Sequence, residues 1–426
     1  MPKKRQNSDG ADAMKELQQL AERIAQNKVP TLSADAIDPS AIGAPAEWHA
    51  MIRYLRTAPF LHIKGCVGAG IGLREVKGEQ TDEEVVVALV SKKRPTSKLA
   101  SDQHIPAEIE FDGAKIPIDV QEAGFDPIPK FTGASTGAYP RATGSCSGSG
   151  LSLLNPADPC IGGTLTGIFG GRAMTAAHVT LGFGFEEFFR NLPLSLLWLF
   201  RSPNGVDVIA SDTIQRGQGL HRLFEVDTQW PILAPMPLPV FGAGALGFIF
   251  VDGAAGDAQP IAIPPFAQTA ATPPFSYAAP PPQLAPDRSN RFGGTIQPAR
   301  IARPGERCFK DGQTSGLTFG TVWLPFFQIY LPIPLGFMPA VVLFDTVLCR
   351  LVIAPGDSGC AVLSEDLDYL AQGSLGLGSP QPGPPPPPLP AGTPPPLCPI
   401  ENDDLLQLTL ATPYYWQELF LGMNLS

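Results

Sequence analysis

Apolar residues recur at helical spacing in two places near the start of the chain. Met14, Leu17, Ala21, Ile24 and Ala25 predict a helix over 13–28, which Pro30 stops. Trp48, Met51, Ile52 and Leu55 share one face of a second predicted helix over 47–56. Residues 1–10 are polar and are expected to be disordered. Within 60–125 the pattern changes to strand-like runs: two strands around a polar turn, then a short helix and a hairpin turning at Asp112-Gly113. From 160 to 378 short apolar runs alternate with Gly, Pro and Asp, the spacing of barrels and sandwiches. A last strand and a helix are expected near the end, and no internal repeat is present.

These patterns divide the chain into a disordered start with a helical extension (1–59), a small α/β domain (60–125) and a Gly/Pro/Ser-rich linker (126–159). A mainly β domain (160–426) follows, with a proline-rich loop at 379–397 that reads as polyproline II. Gly (44) and Pro (48) together exceed a fifth of the 426 residues, which suits many turns and short strands. One uncharged stretch, 324–344, is long enough to suggest a membrane span, but Pro325, Pro332, Pro334 and Pro339 would break a spanning helix. It reads instead as strand, loop and strand.

The net charge is −10 and the only basic run is Lys3-Lys4-Arg5, so no stripe exists for a nucleic-acid backbone. No apolar segment follows that run as a signal peptide would, and a cytoplasmic location is expected. Seven cysteines without a CxxC pair read as mostly buried thiols, and five unclustered histidines argue against a zinc site. No cofactor is expected.

Two motifs carry chemistry. In Gly356-Asp357-Ser358-Gly359, small residues permit a tight turn whose Gly356 and Ser358 N–H groups converge on one point. Such donors stabilise the oxyanion formed when a hydroxyl attacks a carbonyl. A serine hydroxyl also needs a base to take its proton. Asp357 is expected to anchor the turn from behind. The second motif ends in His178, after Ala173–Ala177, a run that suits the end of a buried strand. Cys360, beside the turn, reads as a small buried packing residue.

Thr175-Ala176-Ala177-His178 upstream of Gly356-Asp357-Ser358-Gly359 resembles the trypsin/chymotrypsin superfamily of serine proteases. The resemblance implies a chymotrypsin-like double β-barrel peptidase domain, preceded here by the small α/β unit and N-terminal helices. It implies His178 as general base, Ser358 as nucleophile and an aspartate between them in the chain. Asp257-Ala258, followed by Ile261 and Ile263, is the best match to the usual Asp-Ala pattern, although Gln259 and Pro260 depart from it. Asp227 is the competitor, and Asp252 and Asp207 rank lower. The runs ALVSKKRPTSKL (88–99), DGQTSGLTFGTV (311–322) and TLATPYYWQELFLGMNL (409–425) are similar to a bacterial branch of the superfamily that also includes the plant Narrow-leaf proteases.

The resemblance further implies that Val352, six residues before the nucleophile, lines the primary specificity pocket, which would favour an apolar or small side chain. It also makes 373–378, with Ser374 near the site, an edge for pairing with a substrate peptide. The family often activates by cleavage to a new N-terminal amine that meets the aspartate beside the nucleophile. Ile161-Gly162 has no basic residue before it, so activity without such cleavage is expected. The expected partner is a protein or peptide substrate. A further protein partner could dock at the N-terminal helices or the proline-rich loop. The alternatives are a catalytically silent scaffold of the same fold, and a 60–125 unit that acts as inhibitor or adaptor.

Overall fold

The computed structural model describes residues 38–124, 149, 152–155, 158–181, 207–211, 220–230, 233–237, 246–261, 287–290, 294–331, 341–378, 381–382 and 404–426. The fold is mainly β. After a short 3-10 turn, α1 (His49–Arg56) leads to β1 (Cys66–Val76), β2 (Glu79–Val90), β3 (Glu108–Phe111) and β4 (Ala114–Glu122). Next come β5 (Ser152–Asn155), β6 (Asp158–Thr164), β7 (Gly167–Phe169), β8 (Arg172–Thr175) and α2 (Ala177–Leu181). Six strands follow: β9 (Asp207–Ser211), β10 (Leu220–Glu225), β11 (Thr228–Trp230), β12 (Leu233–Pro237), β13 (Leu246–Phe250) and β14 (Gly253–Ile261). The C-terminal part holds β15 (Gln297–Ala299), β16 (Arg307–Gly312), β17 (Gly316–Leu331), β18 (Val341–Arg350), β19 (Ala361–Ser364) and β20 (Asp368–Leu377). It ends with β21 (Gln381–Pro382), β22 (Asp404–Leu405), β23 (Leu408–Pro413) and α3 (Tyr414–Leu421).

Strands β16, β17, β18, β23, β20 and β19 pair in that order and β19 returns to β16, which closes a six-strand barrel. Its interior packs Cys308, Val322, Val347, Cys349, Leu351, Val362 and Leu370. Alternation along each strand puts these residues on one face. A second sheet runs β6-β5-β9-β10-β14-β8-β7, with β11 also on β14. Leu153, Leu165, Ile168, Ala173, Val226 and Ala254 form its core.

The strands of 60–125 form as the sequence predicts. The β1–β2 turn has Lys77 and Gly78 at positive φ, and the β3–β4 turn has Asp112 and Gly113 at positive φ. That is the backbone of a two-residue hairpin turn matched to strand twist. The far edge of β1 then pairs with β17, Gly68 opposite Ile329, so these strands lengthen the barrel's own sheet. Glycine makes this approach possible: a Cβ on Gly68 would overlap the Gln328 carbonyl.

Helix α1 covers this junction with Trp48 (in the preceding 3-10 turn), Met51, Ile52 and Leu55, all buried as their spacing predicts. Burying each such side chain is worth roughly 1.5–3 kcal/mol. Trp48 meets Phe326 edge-on at 5.9 Å. Arg56 forms a buried ion pair with Asp345 of β18 at 2.6 Å.

Strand β5 and the start of β6 fall within the predicted linker range, 126–159, whose remainder apart from Ser149 lies outside the described residues. The stretch 324–344 contains the end of β17 and the start of β18. Among the described residues no helix is long and apolar enough to cross a membrane. The predicted helix at 13–28 and most of the proline-rich loop lie outside the described residues.

Candidate active site

Strand β8 ends at Thr175, and His178 is the second residue of α2 rather than the end of the strand. The side chain is fixed from both ends by one carboxylate. Asp252 Oδ1 accepts the His178 backbone N–H at 3.1 Å, and Asp252 Oδ2 accepts Nδ1–H at 2.8 Å. Asp252 sits at the bend between β13 and β14 with φ of 35°, a conformation aspartate tolerates better than most residues. Its own carbonyl accepts the Gln372 side-chain amide at 2.8 Å, which ties the bend to β20 of the barrel. The carboxylate is fully buried. A carboxylate on Nδ1 leaves Nε2 as the basic nitrogen and stabilises the imidazolium once it forms.

This corrects the choice of aspartate. Asp257 stands on β14 opposite Arg172 of β8, and its side chain is 72% exposed. Arg172 binds Asp227 with both terminal nitrogens, at 2.6 and 2.9 Å, and reaches Asp257 at 3.3 Å. Both leading candidates thus neutralise a surface arginine. The Asp-Ala pattern pointed to a strand interior whose side chains face outward. The usable signal was the apolar run 246–251 that ends in Asp252. Asp207 lies at the start of β9.

Ser358 lies in a turn between the β18 end and β19. Gly356 and Gly359 adopt φ of 91° and 93°, values that favour glycine. A Cβ at Gly359 would overlap the Thr164 carbonyl and the Thr175 hydroxyl. Carbonyls of the turn are claimed by neighbours: Thr164 Oγ1 donates to Gly356 O at 2.9 Å, and Thr164 N to Ser358 O at 2.7 Å. Thr166 Oγ1 donates to Gly359 O at 2.5 Å. The second sheet therefore grips the Ser358 turn from outside the barrel. Gly356 and Ser358 are buried, and among the described residues their N–H groups have no protein acceptor. Buried N–H groups are rarely left without a partner, and such orphans point to a functional site. Ser358 Oγ donates to the Ser374 carbonyl at 3.1 Å.

Asp357 points the other way, into the protein. Its Oδ1 accepts the N–H groups of Thr314 and Ser315 at 2.8 and 3.0 Å. Its Oδ2 accepts Ala354 N–H at 2.9 Å, Ser315 Oγ at 2.5 Å and Lys310 Nζ at 2.8 Å. Burial pushes this carboxyl up, but the Lys310 ammonium and the donated hydrogen bonds outweigh it and hold its pKa below the ordinary value. Lys310 was not foreseen. Period-two alternation through Cys308, Lys310 and Gly312 already places it on the inner face of β16, where a cation requires an anion.

Val352 lies half-buried beside the turn, with its carbonyl accepting Thr318 Oγ1 at 3.3 Å. Next to it, Ile353 pairs by two backbone hydrogen bonds with Leu406, each 2.8 Å. Leu406 and Ile353 close over Gly376, where a Cβ would overlap both. Strand β19 pairs with β20 only as far as Gln372, while β23 pairs with it through Leu377. Cys360 is buried, and burial raises its thiol to about 12, so it stays protonated. Among the described residues no group of three or more His, Cys, Asp or Glu could hold a metal ion.

His178 follows β8 and Asp252 precedes β14, two paired strands of the second sheet, while Ser358 precedes β19 of the six-strand barrel. No protein-family model and no curated protein matches the chain. Solved structures do. The chymotrypsin of Cellulomonas bogoriensis is 13% identical, aligning 66% of this chain with 97% of its own at a TM-score of 0.32. Protease A of Thermobifida fusca is 12% identical over 65% of this chain and 97% of its own, TM-score 0.31. A glutamic acid-specific serine protease with a histidine triad in substrate binding is 14% identical over 66% of this chain and all of its own, TM-score 0.35. These likenesses are distant, and the chemistry below rests on this chain's own side chains.

Proposed function

We propose that the chain is a serine endopeptidase. The observation that carries this reading is the buried His178–Asp252 pair, together with a Ser358 turn in which the N–H groups of two buried residues find no acceptor among the described residues. Ser358 Oγ attacks the peptide carbonyl as His178 Nε2 takes its proton. The new oxyanion accepts the Gly356 and Ser358 N–H groups, each such donor being worth about 100-fold or more in rate. His178 passes its proton to the leaving amine, and the acyl group remains on Ser358. A water then attacks the acyl carbonyl, again giving a proton to His178, and the acid leaves as Ser358 regains its hydrogen. Asp252 holds the imidazole tautomer throughout.

The substrate would lie as a strand along 374–377, the part of β20 that β19 leaves unpaired among the described residues. Half-buried Val352, backed by the buried Ile353 and Leu406, makes the adjoining wall apolar, which favours a small or apolar side chain next to the cleaved bond. A silent scaffold would have no use for an oriented histidine and two open N–H groups, so that alternative is not favoured.

The test is fluorophosphonate labelling of wild type beside Ser358→Ala, followed by hydrolysis of peptides differing in the residue before the cut. Labelling lost with the alanine variant supports the reading. No labelling of folded wild type counts against it.

A further inference from the structure

We infer that Gln372 is a positioning residue that sets the His178–Asp252 pair against the Ser358 turn, with Gln417 of helix α3 orienting its amide. This deepens the proposed peptidase reading and rests on it for its consequence, but not for its geometry. His178 and Asp252 stand beside β8 and β14 of one sheet and Ser358 beside β19 of the other, so the distance between them has to be held. Gln372, fully buried on β20, touches the support of each half. Its Nε2 donates to the Asp252 carbonyl at 2.8 Å. Its Oε1 lies 3.1 Å from Thr166 Oγ1, which is also 2.5 Å from the Gly359 carbonyl in the Ser358 turn. The single Thr166 hydroxyl proton thus serves the turn and the amide together.

A chain of donors decides which way the amide faces. Tyr369 O–H donates to Gln417 Oε1 at 2.8 Å, and Gln417 Nε2 donates to Gln372 Oε1 at 3.2 Å. Gln417 belongs to α3, and both side chains are fully buried. Burial pushes the Tyr369 phenol well above its ordinary value, so it keeps its proton. From Tyr369 through Gln417 and Gln372 to the Asp252 carbonyl every donor meets an acceptor, and each bond polarises the next. Reversing Gln372 would set its oxygen against the Asp252 carbonyl and its NH₂ against that of Gln417.

What the chain holds is a backbone conformation that needs holding. Asp252 has φ of 35°, which a residue with a side chain keeps only where its surroundings over-determine it. Thr412 Oγ1 of β23 donates to the Val251 carbonyl at 2.9 Å, and Gln372 to the Asp252 carbonyl. The peptide planes on both sides of Asp252 are fixed by the barrel, and with them the direction of the carboxylate that grips His178. Gln372 bonds to no reacting atom and acts only through Asp252 and Thr166.

The experiment compares full-length wild type with Gln372→Met, Gln417→Met and the double variant. Fluorophosphonate labelling and peptide turnover report the assembled site. The proton on His178 Nδ1, read by proton NMR and identified by its absence from His178→Ala, reports the pair whether or not the chain is active. Gln372→Met is expected to lower kcat and the labelling rate about 100-fold, with KM changed only a few-fold, the pattern of a misplaced reacting group. Its His178 Nδ1 proton should shift and exchange faster with water. Gln417→Met should lose less, and the double variant no more than Gln372→Met alone, because Gln417 acts through Gln372.

Unchanged rates and an unchanged Nδ1 signal in Gln372→Met would overturn the inference, whether or not its melting temperature falls. Strictly multiplicative losses in the double variant would overturn it too. If wild type neither labels nor cleaves but the Nδ1 signal responds to Gln372→Met, the positioning role stands and the peptidase reading falls. Should Gln372→Met not fold, Gln417→Met decides alone: wild-type rates and signal there would overturn the inference.

Discussion

Asp257 is the aspartate the sequence favours and Asp252 the one that binds His178, and exchanging each for asparagine separates them. In Asp252→Asn the isosteric side chain can sit in only two ways. With its NH₂ toward His178 Nδ1, it forces that nitrogen to accept, and the proton moves to Nε2, where the lone pair is needed. With its carbonyl oxygen toward Nδ1, the NH₂ faces the His178 backbone N–H, which Asp252 Oδ1 now accepts at 3.1 Å, and donor meets donor. Both arrangements disable the base. The expected loss in kcat is about 10⁴-fold, or roughly 5 kcal/mol of transition-state stabilisation. Asp257→Asn removes one 3.3 Å contact to Arg172 from a side chain 72% exposed, and Arg172 keeps its two-point grip on Asp227. A surface pair of that kind is worth at most about 1 kcal/mol, and turnover should stay within a few-fold. The assay is the second-order rate of fluorophosphonate labelling together with kcat/KM on one peptide. A large loss in Asp257→Asn with little in Asp252→Asn would refute the assignment.

Three further outcomes are expected. Asp357's folded pKa is lowered, so its contribution to stability is complete above its unfolded value of about 3.9 and disappears as pH falls through the folded value. Acid unfolding followed by circular dichroism should thus begin below about pH 4 for this group, and at higher pH in Lys310→Met, where only the donated hydrogen bonds still oppose the upward push of burial. Arg56→Met leaves Asp345 charged and buried, and chemical denaturation should show a loss of about 3–5 kcal/mol; an Arg56→Met/Asp345→Leu double variant should recover part of it. Gly359→Ala must adopt φ near 93° and overlap Thr164 and Thr175, so labelling should vanish and the melting temperature should fall, whereas Gly78→Ala, with open space around it, should keep full labelling.

Much of this was legible locally. The α1 face follows from four apolar residues at helical spacing, and the Asp112-Gly113 turn from its dipeptide, because both depend on neighbours in the chain. His178 and Ser358 were legible because each sits in a short motif. What the sequence hid is what distant strands bring together. Asp252 reaches His178 across 74 residues, and Lys310 reaches Asp357 across 47. Thr164 grips Gly356 across 192. None of these pairs has a spacing that periodicity can read. Lys310 left a partial trace, a charge at an inward strand position, and that trace names the need for an anion without naming which one. The joining of β1 to β17 left a similar trace in the glycines of β1, which mark a close backbone approach but not the strand that approaches.

That joining also sets a schedule for biosynthesis. Gly68 is made some 261 positions before its partner Ile329. At about 5–20 residues per second, the outer edge of β1 waits on the order of 10–50 seconds on the ribosome for the strand that will cover it. Through that interval the nascent chain carries Trp48, Ile52 and Leu55 with the barrel half of their cover still unmade, beside an unpaired strand edge. That exposure predicts a need for chaperone cover early in translation and poor refolding of the chain from denaturant at high concentration.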